Sequence, residues 1–149
     1  MLHLKLLKWF KKTGCKTLLN LGTAGSSYFD AHALVEVCQF VQRDMDVSPL
    51  GFQVGVTPMD QEHPAEIHLE RYFEHLPNGI CGTGDSFETG TPKVPCQLVD
   101  MEGYAIAKVC KKLGVRVLSV KYISDGANDT AHLDWEENLL VGAQKLLSL

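Results

Sequence analysis

Two acidic residues mark where chemistry is most legible in this chain. Glu102 follows the apolar approach Val99, Asp100, Met101 and stands at or just before a helix predicted over residues 103–113. Asp125 follows a run rich in β-branched residues over 116–123, by way of Ser124. Carboxylates at such element ends lie where open α/β sheets place ligands, in the crevice beyond the carboxyl ends of the strands. Two carboxylates in different environments can divide a reaction between them: one keeps a proton and serves as general acid, the other stays ionised and steadies positive charge. For Glu102 the plain alternative is an ordinary acid in a first helical turn, favoured there by the helix dipole.

Other residues could serve such a site. Gly22, Thr23, Ala24, Gly25, Ser26 and Ser27 form a small, glycine-containing stretch in which backbone N–H groups can approach an anion or a sugar closely, although most such stretches are merely turns. Phe87 suits a core aromatic as well as a ligand platform, and Trp135 suits core packing as well as a pocket. Residues 61–75 hold Glu62, His63, Glu66, His68, Glu70, Glu74 and His75. Their spacing does not fit H-E-x-x-H and no cysteine lies close by, so no metal site is expected. An amphipathic helix over about residues 65–74, with Ile67, Leu69, Tyr72 and Phe73 as its apolar residues, is the preferred reading.

The elements that must position these residues can be read in order. Residues 1–12 interleave lysines with Leu2, Leu4, Leu6, Leu7, Trp9 and Phe10 and predict a helix packed on a sheet, ended at Gly14. A signal peptide would gather its charge before an uninterrupted apolar core. Strands are expected over 16–21, 33–41, 79–82, 97–100 and 115–123, with a short extended piece over 52–56. Polar loops are expected over 43–51 and 89–95. A last helix over 132–149 would bury Leu133, Trp135, Leu139, Leu140, Ala143, Leu146 and Leu147, with Asp134 as its cap and Glu137 three residues later. This mixture predicts one α/β domain over residues 1–149, with a mixed central sheet flanked by helices.

The totals narrow the functional classes. A chain of 149 residues, 45% apolar and 21% charged, is long enough to bury a core and is not disordered in composition. A net charge of −4 argues against a general nucleic-acid binder. The five cysteines include no C-x-x-C pair and read as reduced thiols of a cytoplasmic protein. No apolar run approaches the roughly 20 residues of a membrane span, so neither nucleic acid nor membrane is an expected partner.

The stretches VDMEGYAIAKVCKKLGV and VLSVKYISDGAND, together with residues 20–25, 43–58 and 84–87, resemble the nucleoside phosphorylase superfamily. Within it they resemble most the methylthioadenosine/S-adenosylhomocysteine nucleosidases. The resemblance implies hydrolysis of an adenine thionucleoside at its N-glycosidic bond, without a cofactor and with release of adenine. Asp125 would be the acid that protonates the purine, positioned by Ser124. Glu102 would accept both ribose hydroxyls, Met101 would pack on the sugar, and Thr23, Ala24 and Gly25 would lie against the ribose. Phe87 would stack on the base while the backbone of Glu88 reads its edge; the family usually has an apolar residue at that position. Trp135 would cover the 5′ substituent. Val47, Leu50 and Pro58 would reach into the site of a neighbouring subunit, which implies a homodimer.

The resemblance also implies an absence. Family chains begin well before the strand expected near Lys16, so on the order of 30 residues, at least one βαβ unit, have no counterpart, and the chain reads as N-terminally truncated relative to the family. That part carries the first strand of the sheet and the acid that activates water. An unpaired sheet edge is expected to follow. Glu36, Asp44 and Asp46 are the candidate replacements for the missing acid. Phosphorolysis of a purine nucleoside, and a non-catalytic nucleoside-binding or assembly role, are the alternatives.

Overall fold

The computed structural model describes residues 9–10, 12–60, 65–128 and 131–149. Among the described residues these elements follow in the order β1 (Thr17–Gly25), β2 (Leu34–Gln42), β3 (Glu66–His68), β4 (Asn78–Thr83), β5 (Leu98–Asp100), α1 (Gly103–Lys112), β6 (Arg116–Asp125) and α2 (Ala131–Leu146). They form one mixed sheet in the order β3-β2-β4-β5-β1-β6, in which β2 also pairs with β6. β1 and β6 run parallel to each other, as do β2, β4 and β5. The two groups meet antiparallel at Gly25 and Val99, so the carboxyl ends of β1 and β5 come together.

β6 is the axis of the fold, buried at nine of its ten residues. Because strand side chains alternate between faces, Ile123 joins Tyr104 and Ala107 of α1 in one apolar cluster, and Val120 and Tyr122 join Leu146 of α2 in another. The sheet is thereby covered on both faces. Gly142 is where α2 touches β6: a Cβ there would stand 2.5 Å from Tyr122 Cδ1. α1, expected over 103–113, ends at Lys112, and Gly114 just beyond it takes φ +65°.

One pair of charges lies inside. Lys121 Nζ is 2.7 Å from Asp100 Oδ2, and their side chains are 3% and 1% exposed. Asp100 also accepts from Thr83 Oγ1 at 2.6 Å and from the Gly103 N–H at 3.1 Å. The pair joins β4, β5, β6 and the start of α1.

Several expectations need correction. Residues 65–74 are not a helix: β3 pairs antiparallel with β2, placing Ile67 in the core. The cause is buried Glu36, whose Oε1 accepts the N–H groups of Tyr72 and Phe73 at 2.6 and 3.1 Å while Arg71 Nε holds Oε2. Backbone donors engaged in this way are withdrawn from a helical ladder. β1 runs on through Gly25, so residues 22–25 are strand and the turn begins at Ser26. Residues 52–56 form no strand, and Val54 and Gly55 lie in a turn.

α2 ends at Leu146, with Asp134 inside its first turn instead of capping it. Its buried residues are Ala131, Gly142 and Leu146, whereas Leu140 is 77% and Leu147 85% exposed. Leu140 and Leu147 lie off the stripe that faces β6, and Leu146 lies on it. The helix expected over 1–12 lies mostly outside the described residues. Trp9, Phe10, Lys12 and Thr13 are helical, and the N–H of Gly14 closes that turn on the Phe10 carbonyl at 3.0 Å. Along 17–24 the side of β1 away from β6 has no strand partner among the described residues, and Leu19 and Leu21 stand partly exposed there.

Lys121→Met would leave Asp100 buried without its counter-charge and is expected to lower the unfolding free energy by about 3–5 kcal/mol, measured by urea titration. Burial alone would lower the Lys121 pKa, but the Asp100 charge outweighs burial and holds it above 10.5. A raised folded-state pKa gives a contribution that is complete below the unfolded value and lost as pH climbs through the folded one. Stability is therefore expected to decline above pH 10.5, more steeply in the wild type than in the Met variant.

Candidate active site

At the meeting of the two parallel groups the strand ends enclose a cleft of about 270 Å³. β1 supplies Thr23, Ala24 and Gly25, β5 and the turn after it supply Val99 to Glu102, and β6 supplies Ser124 and Asp125. Arg43, Ser86, Phe87 and Glu88 close one end, and Trp135 of α2 stands over another part. A larger recess of about 530 Å³ lies among β3, the C-terminal half of α1 and the start of β6. It gathers no such group of strand-end acids.

Asp125 is 6% exposed. Its Oδ2 accepts from Ser124 Oγ at 2.8 Å and its Oδ1 from the Ala127 N–H at 3.0 Å, which fix the plane of the carboxylate. Gly25 makes room for it: a Cβ there would stand 2.5 Å from Asp125 Oδ1 and 3.2 Å from Val99 Cγ2. The Ser124 carbonyl accepts from Asn138 Nδ2 at 3.0 Å, tying this corner to α2.

Glu102 stands at the cap position of α1 but makes no capping hydrogen bond; Asp100 takes the Gly103 N–H instead. Its carboxylate therefore does not serve the helix end. Met101 beside it is 43% exposed. Phe87, 46% exposed, is no core residue. Trp135 donates its indole N–H to Thr23 Oγ1 at 3.1 Å, a polar tie across the mouth.

The ten residues expected around a ligand within one subunit thus all line this cleft. Val47, Leu50 and Pro58 do not. Leu50 is 72% exposed on a 3-10 turn, Ser48–Leu50, whose entry is set by Asp46. Hydrogen bonds from Lys93 and Ser48 hold the Asp46 carboxyl down at about 2. Glu36, Asp44 and Asp46 also lie outside the cleft lining. Their carboxylates hold Arg71, the Asp85 N–H and Lys93 respectively.

The structure adds Arg43, Ser86, Val99 and Asp100 to the lining, with Lys121 bonded to Asp100. Lys121 has a sequence signal, a lone cation inside an apolar central strand that must find a buried partner. Arg43 has none, because polar loops commonly carry arginine. Among the described residues no group of three or more His, Cys, Asp or Glu could hold a metal ion.

The family model described as Phosphorylase superfamily matches residues 1–149, and the chain belongs to that superfamily. It is 29% identical over 154 residues to an aminodeoxyfutalosine nucleosidase of Helicobacter pylori, covering 88% of this chain and 64% of the relative. It is 30% identical over 149 residues to a 5′-methylthioadenosine/S-adenosylhomocysteine nucleosidase of a Marinomonas species, covering 85% and 64%. The chain therefore spans just under two thirds of the length of these curated relatives. A crystal structure of the 5′-methylthioadenosine/S-adenosylhomocysteine nucleosidase of H. pylori with butyl-thio-DADMe-Immucillin-A superimposes with a TM-score of 0.85 at 25% identity. That match covers 97% of this chain and 70% of the other, and bears out the expected mixed α/β fold.

Gly25→Ala would force its methyl onto the Asp125 carboxylate. It is expected to destabilise the protein by about 1–3 kcal/mol, read as a lower Tm, and to turn the carboxylate from its bonds to Ser124 and Ala127, visible in a crystal structure of the variant.

Proposed function

We propose that the protein cleaves the N-glycosidic bond of an adenine thionucleoside by hydrolysis and releases adenine. The observation that carries this reading is the convergence on one cleft of a buried acid, Asp125, a second acid, Glu102, an exposed aromatic side chain, Phe87, and a half-buried one, Trp135. The names of the similar proteins agree with it, each being a nucleosidase.

The reaction needs a purine that leaves neutral and a ribose that carries positive charge. Asp125 delivers a proton to the purine ring nitrogen that faces it, and Ser124 and Ala127 keep its carboxyl group in one plane. Glu102 accepts hydrogen bonds from the ribose hydroxyls and places negative charge beside the oxocarbenium-like sugar, a preorganised electrostatic contribution. Met101 packs on the sugar, with Thr23, Ala24 and Gly25 along its other side. Phe87 stacks on the base, the Glu88 backbone reads its edge, and Trp135 covers an alkylthio group at the 5′ position.

Two copies complete the site. Val47 and Pro58, with exposed Leu50, lie on a loop that avoids its own cleft. We place them in the apolar 5′ pocket of a second copy of this chain. The five free cysteines support a reducing compartment, the cytoplasm. Among the described residues no helix is long and apolar enough to cross a membrane.

A second reading, nucleoside binding without turnover, is favoured by one observation. Asp100, Glu88 and Asp125 are held by Lys121, Arg43 and Ser124. None of Glu36, Asp44 and Asp46 lines the cleft to activate water.

Chromatography of methylthioadenosine incubated with the protein separates these readings. Adenine release without phosphate, reduced about 10²–10⁴-fold by Asp125→Asn, is the expected result. Release only with phosphate would make the protein a phosphorylase, and binding without release would support the second reading. Leu50→Asp is expected to convert a dimer to a monomer in size-exclusion chromatography with light scattering, and to weaken methylthioadenosine binding by on the order of 10-fold through loss of apolar burial while leaving free adenine binding unchanged.

A further inference from the structure

The Phe87 end of the cleft carries a charge pair that the proposed reaction does not use. Arg43 follows β2, and its N–H donates to the Thr83 carbonyl at 3.0 Å. The guanidinium is 2% exposed and lies against the backbone of Gly84, where a Cβ would stand 2.7 Å from its Cζ. Nη1 donates to Glu88 Oε2 at 2.9 Å and to Ser86 Oγ at 3.4 Å, and Nη2 donates to the Ser86 carbonyl. Glu88 Oε1 accepts from the Gly90 N–H at 3.0 Å. The Glu88 carboxylate is therefore held from two sides. Both residues line the cleft, and the Glu88 side chain is 18% exposed.

Arg43 Nε is the one buried side-chain nitrogen or oxygen without a hydrogen-bond partner among the described residues. Buried donors are almost always satisfied, and exceptions need a reason. Here the guanidinium leaves one donor unpaired while its other end grips the loop that carries Phe87 and Glu88. That placement makes sense if the position of the Glu88 carboxylate matters more than the satisfaction of the arginine.

We propose that the Glu88 side chain is a specificity determinant that selects 6-aminopurines over 6-oxopurines, with Arg43 as its positioning residue. This rests on the reading that the base lies between Phe87 and Glu88. An ionised carboxylate only accepts hydrogen bonds. It meets the amino N–H of a 6-aminopurine favourably, whereas the oxygen of a 6-oxopurine brings lone pairs against lone pairs. Arg43 offers that oxygen no relief, since its Nη donors are turned to Ser86 and Glu88. The base is thereby read twice, once by the backbone and once by a side chain fixed through an ion pair.

Calorimetric titration of the full chain with adenine and with hypoxanthine tests this without requiring turnover. The wild type is expected to bind adenine more tightly. Glu88→Gln, whose amide can turn an N–H toward the oxygen, is expected to narrow the preference on the order of 10- to 100-fold, mainly by improving hypoxanthine binding. Glu88→Met is expected to narrow it as well. Arg43→Lys keeps the charge but not the fork, and it too is expected to lower the ratio of the two affinities. A merely structural loss would weaken both bases together and leave that ratio unchanged. An unchanged ratio in both Glu88 variants would overturn the proposal and leave base selection to the backbone. If the wild type bound neither base, the proposed function itself would fall.

Discussion

The ion pair between Lys121 and Asp100 is the interaction on which the rest of the structure turns. Burying two charges gains little net stability compared with apolar packing, so its value lies in what it fixes. Asp100 sits one residue before Met101 and two before Glu102, and it takes the first N–H of α1 and the Thr83 hydroxyl. Lys121 lies on the same strand as Ser124 and Asp125. A one-residue slip of β6 would turn Lys121 to the opposite face of the sheet and strand both charges in an apolar interior. The strand that carries the proposed acid is thus locked in register to the turn that carries the proposed ribose acid.

The same logic explains what the sequence discloses. β6 and α1 are legible because their patterns answer to one requirement, burial on a known period, and their ends then place Asp125 and Glu102 without further information. β3 is not legible. Ile67, Leu69, Tyr72 and Phe73 have a spacing that suits a helix, and the deciding partner, Glu36, lies in another strand and captures backbone groups that no local pattern reports. α2 fails differently. Its leucines outnumber its packing positions: Leu146 packs on β6, but the closest approach is made by a glycine, Gly142. Arg43 is the clearest loss, since its role depends on a loop about 40 residues later that folds around its guanidinium.

The cleft also differs from wall to wall. On the Asp125 side, β6 has neighbours in both β1 and β2, and α2 adds the bond from Asn138. On the facing side, among the described residues, β1 is paired along its length only with β6 and touches β5 at a single residue, Gly25. Edge strands with exposed apolar side chains invite further pairing, and Leu19 and Leu21 give β1 that character. Thr23, Ala24 and Gly25 are therefore held by β6 beneath them and by the Trp135 indole above.

The geometry of the proposed reaction depends on the less restrained wall, because a misplacement of about 1 Å can cost on the order of 10²-fold in rate. The proposed proton donor, the proposed ribose acid and the loop proposed to read the base are each anchored by buried charge or paired strand: Asp125 by β6, Glu102 by the Asp100–Lys121 pair, Glu88 by Arg43. Thr23 and Ala24, proposed to lie along the sugar, are paired with β6 on one side only among the described residues. A segment that paired with the side of β1 lacking a strand partner among the described residues would stiffen the proposed ribose wall without touching the acids. Turnover would then respond to contacts at Leu19 and Leu21 even though neither side chain lines the cleft.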